Sequence, residues 1–269
     1  MTIVRDRFWI WGHEAGSHTT EEWGVPEPSR ITPVEGAFYM GVPNVILVRY
    51  GGKPAAPYHQ AAVPFRALRS VVWSIVGAGG TSQDEELGHV LDLAAELPNL
   101  TGVMMDDFFL DPAKHDDVAV LSLDQLRAIR KRLGLRDRRL TLPKRLDLYA
   151  VLYDHQLDFP VAEHLALCDK LTFWTSSARD LANLERNLDR VDALAPSCGK
   201  LLGCYMWDYA PKQPMPVETM QRQCELGLKW LREGRIEGMI FLATCICDLD
   251  LEAVEWTRRW IAKVGGGRI

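Results

Sequence analysis

The sequence contains no apolar stretch long enough to span a bilayer, which argues against a helical membrane protein. No block of lysine and arginine occurs, and the formal net charge is −5. Phosphate binding needs clustered cations, so nucleic acid is not an expected partner. The first twelve residues carry Arg5, Asp6 and Arg7 and run into an apparent strand. They lack the apolar core and small-residue cleavage site of a secretory leader, and a cytoplasmic location is the expectation. No CxxC pair is present among the six cysteines, and several of them lie in apolar runs. Buried, reduced thiols are therefore expected. A GxGxxG phosphate cradle is missing too. Gly77-Ala-Gly79-Gly80 is rich in glycine but has the wrong spacing and follows the third apparent strand, so it reads as a loop.

What remains is an ordinary hydrophobic fraction of 47% in 269 residues, with an excess of tryptophan at nine. A chain of this length buries a sizeable core without disulfides or a structural metal. Short apolar runs alternate with longer amphipathic ones eight times. The strand-like runs are Phe8–Trp11, Asn44–Tyr50, Ser70–Val76, Thr101–Asp106, Asp147–Tyr153, Lys170–Thr175, Leu201–Trp207 and Gly238–Thr244. Nearly all are continuously apolar, as parallel strands covered on both faces must be. Ser82-Gln-Asp-Glu85 and Ser122-Leu-Asp-Gln125 match the capping box at a helix start. After Ser82, the residues Leu87, Val90, Leu91, Ala94 and Ala95 form a stripe at helical spacing. Ala178–Leu194, Pro216–Arg232 and Leu251–Val264 read as further helices, and Gly134 and Gly234 stand where left-handed caps are wanted. Prolines 26, 28, 33, 54, 57 and 64 crowd the first two crossovers, which predicts short first and second helices after long loops. Eight β-then-α units without a composition break, joined by right-handed crossovers, predict an α/β fold: one (β/α)8 TIM barrel over residues 1–269 as a single domain.

In such a barrel the side chains at the C-terminal strand ends converge on one mouth. Strand four ends in Asp106-Asp107 after an apolar run, strand five in Tyr153-Asp154-His155, and strand seven in Tyr205-Met-Trp207-Asp208. Two adjacent acids at the end of a buried strand repel each other and lose hydration, so something must compensate. Neighbouring side chains on a strand point to opposite sides, and which of Asp106 and Asp107 faces the axis is left open. Asp208 is the expected second carboxylate. A pair of carboxyls flanking a sugar bond serves as general acid and as base or nucleophile. Trp11, Trp174 and Trp207 offer flat faces to a pyranose ring, and Tyr153 and Tyr205 add hydroxyls. His13 and Glu14, with Asp154 and His155, are expected to hydrogen-bond a polar substrate. The His13-Glu14…His18 spacing is not the HExxH of a zinc helix, and Cys245 with Cys247 has no third ligand nearby, so neither a metal nor a cofactor is expected.

On the Asp106-Asp107 motif and its Trp207-Asp208 counterpart, the chain resembles the (β/α)8-barrel glycoside hydrolases. It lacks the strand-four Asn-Glu of their largest clan and the DxxDxDxE run of the chitinase-like barrels, so no particular family is indicated. The resemblance implies a small-molecule carbohydrate as partner and hydrolysis of a glycosidic bond, with Asp107 as acid, Asp208 as partner, and Asp106 able to exchange roles with Asp107. Two alternatives stand beside it. One is a metal-dependent sugar isomerase or epimerase using His13, Glu14, Asp107, Asp154 or Asp208. The other is a barrel that binds carbohydrate without turning it over. Neither the sugar nor the oligomeric state is readable from the sequence.

Overall fold

A computed structural model of the chain describes residues 2–19, 23–82, 85–134 and 145–269. Eight parallel strands close into a barrel: β1 (Phe8–Gly12), β2 (Asn44–Leu47), β3 (Ser70–Val76), β4 (Leu100–Met105), β5 (Asp147–Tyr153), β6 (Lys170–Trp174), β7 (Gly199–Tyr205) and β8 (Gly238–Leu242). Each strand pairs with its sequence neighbours, and β8 returns to β1 with Trp11 opposite Leu242. The expected (β/α)8 barrel is the observed fold.

The continuous apolar runs divide their side chains between two cores by simple alternation. Trp11, Ile46, Val72, Met104, Val151 and Ile240 belong to the cluster that fills the barrel. Their neighbours Ile10, Val45, Val71, Val103, Leu152 and Phe241 pack in the layer beneath the helices. On β3 the register to β4 slips between Ser74 and Val76, and Ile75 and Val76 both lie in the outer layer. Beyond this bulge Ala78 packs against the inner cluster and lines the mouth.

The helices are α1 (Pro33–Met40), α2 (Glu86–Glu96), α3 (Leu123–Gly134), α4 (Ala162–Leu165), α5 (Leu184–Leu194), α6 (Val217–Arg232) and α7 (Glu252–Val264). α1 is short, as expected, and starts at a capping box in which Thr32 and Glu35 bond reciprocally. The second crossover departs from expectation. Among its described residues it holds only a 3-10 turn at Val63–Ala67, because Pro54, Pro57 and Pro64 remove the backbone donors a longer helix needs.

The box at Ser122 and Gln125 forms, with both reciprocal bonds. The one at Ser82 does not. α2 starts at Glu86, and the Ser82 hydroxyl donates instead to the Ile75 carbonyl; Gln83 and Asp84 lie outside the described residues. The α2 stripe is likewise shifted, with Leu93 buried and Ala95 exposed. Gly234 takes the left-handed conformation after α6, while Gly134 is the last residue of α3 itself. All six cysteines are free and buried. No helix among the described residues is long and apolar enough to cross a membrane.

Candidate functional site

The C-terminal ends of the strands enclose a cavity of about 520 Å3. β4 supplies its acids. Met104 points into the barrel, and two residues on Asp106 continues that alternation, so its carboxyl faces the cavity while only 5% of the residue is exposed. By alternation Asp107 would face away. It instead adopts a left-handed backbone with φ of 44°, which turns its side chain back to line the same cavity.

The compensation that two adjacent acids require is visible in their partners. Asp107 accepts a hydrogen bond from the Tyr153 hydroxyl at 2.7 Å and another from the Gly79 backbone N–H at 2.7 Å. Gly79 can present that N–H because it too is left-handed, with φ of 69°. Burial pushes the Asp106 carboxyl well above the usual carboxylate range, and the neighbouring Asp107 adds to the rise. The two acids therefore differ: one is poised to keep a proton, and the other takes a hydrogen bond on each oxygen.

Aromatic rings make most of the remaining wall. Trp11 meets Trp174 edge-on at 5.3 Å, and Trp174 meets Tyr205 at 5.1 Å. Trp174 lies across β7 because Gly203 has no side chain to oppose its indole. Tyr50, Tyr209 and Trp23 close the rim around His18, whose Nδ1 lies 2.9 Å from the Tyr209 hydroxyl. His13 is fixed at both nitrogens. Its Nδ1 donates to the Val48 carbonyl at 2.9 Å, and its Nε2 accepts from the Trp11 indole N–H at 3.0 Å. That arrangement is a neutral imidazole, and burial lowers its pKa to about 4.

Solved barrels of the glycoside hydrolase type share this fold. Active domain 2 of a thermostable chitinase from Pyrococcus furiosus, solved with chito-oligosaccharides, superposes with a TM-score of 0.56 at 12% identity, over 95% of this chain and 93% of that one. A xylanase-alpha-amylase inhibitor protein in complex with trehalose gives 0.56 at 15% identity, over 96% and 98%. A β-D-glucuronidase from Dictyoglomus thermophilum gives 0.53 at 11% identity, over 96% of this chain and 51% of that one. At these identities the likeness is one of fold. No family model matches the sequence, and no curated protein does.

The cavity gathers Asp106, Asp107, Trp11, His13, Tyr153, Trp174 and Tyr205 from the expected set, and leaves the others outside. Asp208 is the main correction. β7 ends at Tyr205, and Trp207-Asp208 pairs antiparallel with Gln213-Pro214 in a separate two-residue ribbon. The Asp208 carboxylate accepts from the Ala178 N–H at 3.2 Å and is 2% exposed, so it does not flank the cavity opposite β4. Trp207 leaves with it: its indole donates to the Trp23 carbonyl, and its ring packs in the outer core.

Asp154 turns to Ser176, whose hydroxyl donates to it at 2.9 Å. His155 is exposed and stacks on the outer side of Tyr153. Glu14 is half-buried in the first loop, where its carbonyl accepts from Ser17. Cys245 and Cys247 do not share a side, because β8 ends at Leu242 and a 3-10 turn sends Cys245 inward and Cys247 outward. Among the described residues no group of three or more His, Cys, Asp or Glu is arranged to hold a metal ion.

Tyr50, Gly79 and Trp23 are among the contributors that escaped sequence reasoning. Tyr50 continues the inward alternation of Ile46 and Val48 beyond the end of β2, a periodicity the sequence does carry. Gly79 acts through its backbone, and Trp23 arrives on a loop without periodicity; neither leaves a pattern to read.

Proposed function

We propose that this chain is a glycosidase-like enzyme whose working acids are Asp106 and Asp107. One observation carries the reading. Two carboxyls in unlike surroundings, Asp106 buried and held well above the usual carboxylate range and Asp107 accepting a hydrogen bond on each oxygen, lie side by side in an aromatic-walled cavity at the C-terminal mouth of the barrel. An acid that cleaves a glycosidic bond must still hold its proton near neutral pH, and burial beside Asp107 gives Asp106 that property.

In the proposed step Asp106 gives its proton to the glycosidic oxygen as the bond to the anomeric carbon breaks. Asp107, anchored by Tyr153 and Gly79, faces the positive charge that develops on the ring, while a water adds to the anomeric carbon from the open side of the cavity and releases its proton to solvent. The indoles of Trp11 and Trp174 offer flat apolar faces to the C–H surface of the sugar. Relative to the sequence expectation, the acid moves from Asp107 to Asp106 and the partner from Asp208 to Asp107.

The test is a panel of α- and β-nitrophenyl glycosides with wild type and Asp106→Asn. Cleavage of at least one member by wild type, lost in the variant, is the expected result. Equal cleavage by both proteins, or none by wild type, would overturn the reading. A barrel that binds sugar without cleaving it is favoured by one fact: Asp208 does not face Asp106 and Asp107 across the cavity. Saturable quenching of tryptophan fluorescence by sugars that are never cleaved would select it.

A further inference from the structure

The charges around the cavity bear on which sugars it takes. Among the described residues its wall holds two carboxyls and no lysine or arginine. Arg49, beside Tyr50 in sequence, turns its guanidinium away to Glu86 and to the carbonyls of Gly52 and Pro54. The two histidines add no positive charge either. His13 accepts a hydrogen bond on Nε2, which an imidazolium cannot do, and burial next to His13 holds His18 well below its usual pKa. The rest of the wall is largely aromatic, and the faces of such rings carry the negative side of their quadrupole.

A ligand carboxylate or phosphate entering this space would leave water without meeting a cation, and would face Asp107 at short range. An ammonium group meets the reverse. Each oxygen of Asp107 has one described hydrogen-bond donor and accepts a second, and the indole and phenol faces add cation–π attraction. Building on the glycosidase reading, we propose that the site selects by charge: it prefers a glycoside whose ring at Asp106 and Asp107 carries a free amine over the neutral hexoside, and turns away the matching uronide or sugar phosphate. The preference differs from that named for the β-glucuronidases that share this barrel.

The test uses three matched nitrophenyl glycosides, a glucosaminide, a glucoside and a glucuronide, in both anomers at low salt. The quantities read are kcat/KM and, from tryptophan quenching, Kd. The expected order is glucosaminide above glucoside by about tenfold, from one charge-assisted contact, and glucuronide below glucoside by about 100-fold or more. Asp107→Asn should remove the amine preference in Kd. A glucuronide handled as well as the glucoside, or an amine no better than the neutral ring, would overturn the proposal and leave the glycosidase reading standing. Binding in the expected order without cleavage would support charge selection and overturn the glycosidase reading. Neither binding nor cleavage of any of the three would overturn both.

Discussion

The ends of β4 and β7 look alike in sequence, each an apolar strand running into aspartate, yet they do opposite things. At β4 the strand stops at Met105, the inward alternation carries on through Asp106, and a left-handed residue brings Asp107 back to the same side. At β7 the strand stops at Tyr205, which faces the cavity, and the chain then leaves the barrel in a two-residue ribbon. Alternation ends there: Trp207, with the parity of Tyr205, packs in the outer core, and Asp208 turns to the Ala178 N–H. The lesson is that an aspartate at a barrel mouth is aimed by the two or three dihedrals between the last ladder residue and itself, more than by the strand that precedes it.

The sharpest way to break this contrast is to neutralise each aspartate in turn. On any glycoside the wild type cleaves, Asp106→Asn should lower kcat by about 10²–10⁴-fold, the usual range for loss of a general acid. Asp208→Asn should leave kcat within about threefold and move the thermal midpoint by a few degrees at most, since its carboxylate serves the Ala178 N–H. Equal losses in the two variants would erase the distinction.

The next largest effect concerns His13, which faces the acid side of the cavity. It is neutral in the folded chain down to about 4, whereas the unfolded chain takes up a proton below 6.5. Its contribution to stability is thus present above 6.5 and lost as pH falls through that window, in all roughly 3 kcal/mol. Urea midpoints across that range should fall less steeply for His13→Gln than for wild type. A variant with the wild-type slope would show that the group titrates normally.

On the β7 side, Gly203→Ala should lower stability by about 1–3 kcal/mol, because a Cβ there overlaps the Trp174 indole. The matching change in near-ultraviolet circular dichroism would show that β7 shapes the cavity through what it omits. Back at β4, Tyr153→Phe should lower kcat by about tenfold through loss of one hydrogen bond to Asp107, with the melting temperature nearly unchanged. An unaltered kcat would reduce Tyr153 to a wall residue.

Much of the fold is legible in the sequence because burial on both faces forces continuous apolar runs, and Ser70–Val76 and Asp147–Tyr153 match their strands to the residue. The second crossover is less so. Its prolines announce irregularity, but not that a 3-10 turn replaces the helix. Within the site, Trp11, Trp174, Tyr153 and Tyr205 follow from alternation alone. The orientation of Asp107 rests on a positive φ that an aspartate adopts without any sequence mark, and the loss of Asp208 rests on where a ladder ends. Strand ends are set by competition among a few hydrogen bonds, and a periodic pattern does not encode that competition.

The most direct measurement is the titration of the Asp106 carboxyl, followed by carbon NMR with the resonance assigned from Asp106→Asn. If burial and Asp107 act together as the geometry requires, Asp106 keeps its proton well above the usual carboxylate range, and Asp107→Asn brings that value down. An Asp106 that titrates among ordinary carboxylates, unmoved by Asp107→Asn, would contradict the division of roles at the end of β4.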